Sequence, residues 1–94
     1  MDIATESLGQ YLKHEREVRR VSIEEMAKGT RIHSSVLLSI EADHWEGLPG
    51  DVFVKGFLKS YANHIGLNQD EILVRYQTLP KIPLKEAGFF KKKV

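Results

Sequence analysis

Apolar residues recur along this chain at helical spacing in five short stretches, each fenced by a residue that starts or stops a helix. The sharpest fence is Ser22-Ile23-Glu24-Glu25. A serine followed three residues later by glutamate forms a capping box, in which hydroxyl and carboxylate each satisfy a backbone N–H left unpaired by the first turn. A helix is therefore predicted from Ser22 to about Gly29-Thr30, with Ile23, Met26 and Ala27 turned inward. The helix before it spans about 7–20, with Ser7 as N-cap and Leu8, Tyr11, Leu12 and Val18 as its apolar positions. The one after it spans about 34–42, with Val36, Leu37 and Ile40 on one side and Ile32 in the same core.

Residues 43–50 read as a loop by composition, pinned to the body by Trp45 and Leu48. A fourth helix is predicted over 51–65 and stopped by Gly66. Asn68 and Glu71 open a last helix whose apolar positions are Ile72, Leu73 and Tyr76. Pro80 and Pro83 forbid its continuation. No strand-like alternation or hairpin signal competes. The expected fold is all-α, a compact five-helix bundle.

Ninety-four residues make one small domain. Hydrophobic residues at 41% and charged residues at 29% match a soluble globular protein and exclude wholesale disorder. The absence of cysteine excludes a disulfide framework, a thiolate zinc site and a cysteine nucleophile, and suits a reducing, cytoplasmic setting. No apolar run approaches the roughly 20 residues that span a bilayer, and the first residues lack the pattern of a signal peptide. The net charge of +1 hides a division. Residues 1–79 carry nine Lys/Arg against twelve Asp/Glu, or −3, whereas 80–94 carry five lysines against Glu86, or +4. The expected organisation is a folded domain over 1–79 followed by a flexible basic tail over 80–94.

The two short helices of 22–29 and 34–42, joined by a tight turn, suggest a helix-turn-helix, with Ala27 as the small residue where they cross. The segments Ser7-Leu8-Gly9-Gln10-Tyr11-Leu12-Lys13 and Ser22-Ile23-Glu24-Glu25-Met26-Ala27 resemble the start of the helix-turn-helix module of the RodZ family, a lambda-repressor-like fold. Thr30-Arg31-Ile32 and Ile40-Glu41 extend the likeness. Its most specific part is Leu48-Pro49, then Val54-Lys55-Gly56-Phe57-Leu58-Lys59-Ser60-Tyr61-Ala62, then Gly66-Leu67. The resemblance covers about 7–77. Arg31 departs from ordinary repressors, whose turn usually has glycine there.

Helix-turn-helix folds usually read DNA with the second helix of the motif. Base readout favours Arg, Lys, Asn or Gln on the outward face, and phosphate binding needs positive charge. Here the outward positions are Ser34, Ser35, Leu38, Ser39 and Ala42, without a cation or an amide, and residues 1–79 are net acidic. Sequence-specific DNA binding therefore stands as the alternative reading, resting on Arg31, His33, Ser34, Ser35 and Ser39.

The fourth helix is more informative. At about 100° per residue, Val54, Leu58, Tyr61 and Ile65 share a narrow arc that must face the core. Phe53, Phe57 and His64 share a flank, with Ser60 beside them. Two rings one turn apart next to small Gly56 and Ser60 suit a shallow apolar knob for a partner. The pattern by itself favours the plainer reading, in which both rings pack beneath the last helix or the Trp45 loop. The RodZ resemblance implies the former: in that family the module docks onto the actin-like filament protein MreB, and two aromatic residues of this helix, aligned with Phe53 and Phe57, are the main contacts. Lys55 and Lys59, across the core arc, suit either electrostatic steering or a solvated face.

Phe89-Phe90-Lys91-Lys92-Lys93 combines rings with cations, which suits the cytoplasmic side of a membrane, the other readings being a solubilising tail or a nonspecific nucleic-acid arm. The resemblance implies continuation into a single span, making the chain the cytoplasmic part of an inner-membrane protein. His14, His33, His44 and His64 show no metal-ligand spacing, and HExxH, GxSxG and Gly-rich phosphate loops are absent. No enzyme activity, metal or cofactor is expected. The resulting reading is a non-enzymatic protein-interaction adaptor in rod-shape control, with a structural oligomerisation module as a third possibility.

Overall fold

The computed structural model describes residues 6–79. Its helices are α1 (Leu8–Val18), α2 (Ile23–Thr30), α3 (Ser34–Glu41), α4 (Asp51–Ile65) and α5 (Gln69–Gln77), with a 3₁₀ turn at Trp45–Gly47 before α4. No strand occurs among the described residues. The basic stretch 80–94 lies outside them.

Side-chain caps start most of these helices. Ser22 and Glu25 form the expected reciprocal box, the Glu25 N–H donating to Ser22 Oγ at 3.0 Å and the Ser22 N–H to Glu25 Oε1 at 2.9 Å. Ser7 makes the same arrangement with Gln10, both bonds 3.0 Å. Asn68 Oδ1 accepts from the Glu71 N–H at 2.9 Å. At the other ends, Gly66 takes the left-handed conformation (φ 83°) that closes α4. Arg31, at φ 62°, occupies the left-handed position that closes α2 inside the helix-turn-helix.

The segment just after α3 is tied to the start of α1. Asp43, itself at φ 62°, accepts from the Gly9 N–H at 2.8 Å and from the Ser7 hydroxyl at 2.5 Å. The first turn of α1 has no acidic residue of its own, so this carboxylate supplies the negative charge favoured at a helix N-terminus. A Cβ on Gly9 would lie 2.5 Å from the Ile40 carbonyl oxygen, so only glycine permits the approach.

Leu12, Met26, Leu37, Ile40 and Leu58 meet at the centre with no exposed surface, and Ile32 joins them as expected. Trp45 and Leu48 pack against this core, the Trp45 ring 5.5 Å from that of Tyr76. Val18 corrects the sequence reading. It is 61% exposed, because α1 ends there and Val18 lies well off the arc of Leu8, Leu12 and Arg16. Arg20, expected within this helix, lies beyond it at φ 59°.

A polar unit is embedded among these apolar side chains. Arg16 of α1 binds Glu41 of α3 through two parallel bonds, Nε to Oε2 at 2.7 Å and Nη2 to Oε1 at 2.9 Å. Its Nη1 donates to the Val21 carbonyl at 2.8 Å. The Tyr61 hydroxyl of α4 lies 2.5 Å from Glu41 Oε2 and 3.1 Å from the Leu12 carbonyl, and its single proton goes to the shorter, charge-assisted bond. Among the described residues no buried side-chain nitrogen or oxygen lacks a partner. Burial, then the bond to Glu41, pushes the Tyr61 phenol far above its ordinary value of 10.0.

Candidate functional site

The two sides of α4 are sharply divided. Val54, Leu58, Tyr61, Ala62 and Ile65 are buried, on the predicted arc. On the opposite side Val52 is 80% exposed and Phe53 61% exposed, with Gly56, Lys59, Ser60 and Asn63 also exposed. Phe57 lies between the two, half-buried and packed against the core. The two phenylalanines are one turn apart yet differ by about 40° around the axis, enough to seat one ring in the body and leave the other in water.

The amino-terminal turn that carries this apolar group is fixed from α5. The Tyr76 hydroxyl donates to Asp51 Oδ1 at 2.6 Å, and Lys55 Nζ lies 3.6 Å from Asp51 Oδ2. Burial, then the bond to the Asp51 carboxylate, pushes the Tyr76 phenol up to about 12. Lys55 is thus half-buried against its own helix, while Lys59 stands exposed one turn on.

His64 keeps different company. It is exposed, but its ring lies over Gly29 of α2, where a Cβ would fall inside the imidazole. It also lies eleven residues beyond Phe53, about 16 Å along the helix. Phe53, Phe57 and Ser60 therefore gather on α4, and His64 belongs to the contact between α4 and the helix-turn-helix. Val52 is the residue that core-arc reasoning passed over. Its signal was an apolar side chain roughly opposite Val54 and Tyr61.

The outward side of α3 is plainer. Ser35 is exposed, Ser34 and Ser39 are half-buried, and Leu38 is 53% exposed. From Ser34 to Glu41 the helix holds no Lys, Arg, Asn or Gln. His33 is exposed but its Nδ1 is occupied, accepting from the Ser35 N–H at 3.1 Å as the N-cap of α3. Arg31 is exposed at the turn. Among the described residues no group of three or more His, Cys, Asp or Glu could hold a metal ion, and no helix is long and apolar enough to cross a membrane.

A family model described as a helix-turn-helix domain matches residues 11–72. The chain is 30% identical to the cytoskeleton protein RodZ of Streptococcus pneumoniae (strain ATCC BAA-255 / R6) over 81 residues, covering 86% of this chain and 29% of that protein. It is 26% identical to the uncharacterized membrane protein YmfM of Bacillus subtilis (strain 168) over 57 residues, covering 61% of this chain and 20% of that one. The chain thus spans less than a third of the length of these curated relatives. Among solved structures it is similar to the cell shape protein RodZ in a complex with the bacterial actin MreB, at TM-score 0.71 and 33% identity, covering 74% of this chain and 85% of that chain. It is also similar to YmfM from Staphylococcus aureus, described as a candidate DNA-binding membrane protein, at TM-score 0.70 and 25% identity, covering 76% and 87%.

Proposed function

The chain belongs to the RodZ family of helix-turn-helix domains, and on that premise we propose that it is a protein-interaction adaptor that docks onto an actin-like filament of the MreB type. Phe53 is the principal anchor, Phe57 supports it from the side, and Lys59 and Ser60 border the contact. The observation that carries this reading is the exposure of Phe53 and Val52 on a helix whose other side is committed to the core. Large apolar side chains clustered in water suit a protein partner, and buried aromatic anchors dominate interface energies. The likeness to RodZ solved with MreB supports this class of partner.

Co-sedimentation with MreB filaments tests the reading. Phe53→Ala removes most of an exposed ring, so it leaves the helical signal and melting midpoint nearly unchanged while binding falls by at least tenfold. Equal pelleting of wild type and variant rules out the anchor.

The DNA-binding alternative draws on the description of the S. aureus YmfM structure and on Arg31, His33, Ser34, Ser35 and Ser39. The α3 surface argues against it, since it presents neither cations for phosphate nor amides for base edges. Duplex affinity measured across a salt series decides: a steep salt dependence supports the alternative, and negligible binding at low salt removes it. The lysines of 80–94 suit a segment held near anionic lipid. In this reading the tail tethers the domain to the cytoplasmic side of a membrane.

A further inference from the structure

Gly56 stands in the interior of α4, where glycine is among the least favourable residues because it loses most backbone freedom and covers no main chain. Such a residue needs a reason. The other helical glycines have one inside the domain: a Cβ on Gly9 would strike the Ile40 carbonyl, and one on Gly29 would strike the His64 ring. Among the described residues, a Cβ on Gly56 would meet nothing within 4 Å. Its backbone is helical, and the described glycine with positive φ is Gly66. Nothing among the described residues explains Gly56.

Its surroundings do. At about 100° per residue, Val52, Phe53, Gly56 and Ser60 lie within one arc of roughly 100°, opposite the buried side of α4. Val52 and Phe53 project on either side of that line one turn earlier, and Ser60 adds only a small side chain one turn later. The result is a short trough floored by bare main chain at Gly56 and rimmed by apolar groups at its amino-terminal end. We propose that Gly56 is where the filament subunit comes closest to this domain, an apolar side chain of the subunit resting directly on the α4 backbone between Val52 and Phe53. This inference rests on α4 being the docking side and defines how that contact is shaped. The occupant is the filament protein because the trough is continuous with the Phe53 anchor and lies on the domain that resembles RodZ in its complex with MreB.

The test uses the whole chain, MreB filaments and the variants Gly56→Ala, Gly56→Leu and Phe53→Ala, each measured by co-sedimentation and thermal melting. Gly56→Ala is expected to raise the melting midpoint by about 4 °C, since alanine favours the helix and meets no obstacle. It is expected to weaken filament binding about tenfold, and Gly56→Leu to abolish it. A domain made more stable and less adhesive by one methyl group is hard to explain by any structural role. If Gly56→Ala binds within twofold of wild type while Phe53→Ala does not, the anchor stands and the close approach is overturned. If Phe53→Ala also binds normally, the docking side itself is wrong. If Gly56→Ala melts at lower temperature, the glycine serves the fold and the inference fails.

Discussion

The inner and outer sides of α4 are built from similar residue types, yet they answer to different demands. On the inner side Val54, Leu58, Tyr61 and Ile65 are enclosed, and the one hydroxyl among them is bonded to Glu41. On the outer side Val52 and Phe53 stand in water beside a glycine that crowds none of the described residues. Hydrophobicity alone does not distinguish the two; enclosure and hydrogen bonding do. The inner side is where substitution should cost stability, and the outer side where it should cost association.

Substitutions graded from the inside outward sharpen this division. Leu58→Ala empties space in a fully enclosed site and should destabilise by about 3 kcal/mol in urea unfolding, enough to threaten a small domain. A cost below 1 kcal/mol would mean that the inner side tolerates loss as the outer does. Tyr61→Phe keeps the ring and removes the bond to Glu41, for about 2 kcal/mol, because a hydrogen bond to a buried carboxylate is lost without a replacement. Phe57→Ala sits on the boundary: a half-buried ring should cost about 1–2 kcal/mol and also weaken filament binding, so both assays must respond. If Phe57→Ala unfolds the domain, that ring belongs to the inner side and only Phe53 remains as anchor.

The smallest effect is one of pH. Tyr61 and Tyr76 both have folded-state values raised above the ordinary 10.0, so the folded form prefers the neutral phenols. Their contribution is fully present below about pH 10 and is lost as pH rises, through about 12 for Tyr76. Stability should therefore fall in that alkaline window, and Tyr76→Phe should lessen the decline, as read by circular dichroism. A flat profile to pH 12 would deny the Asp51–Tyr76 link that fixes the start of α4.

Much of this arrangement was legible because it is local. Ser22 with Glu25, Ser7 as a cap, Gly66 as a stop and the arc of Val54, Leu58, Tyr61 and Ile65 all follow from spacing within one helix. Pairings across helices were not. Arg16 and Glu41 count as surface charges in a charge tally, although Arg16 continues the line of Leu8 and Leu12, and Glu41 lies one turn after Leu37. Asp43 gave no sign that it would cap α1, since that depends on a left-handed residue two helices away. The split between Phe53 and Phe57 also escaped the pattern, which grouped them on one flank.

The Arg16–Glu41–Tyr61 unit has a mechanical consequence. It joins α1, α3 and α4 through a single carboxylate, so displacing α1 or α3 strands an ionised group in an apolar interior, and displacing α4 strips that carboxylate of the Tyr61 hydrogen bond. Partial opening is thereby made more costly than a concerted transition, and the bundle should melt cooperatively. A pull transmitted through the outer side of α4 would meet a body that holds its shape until it gives way as a whole.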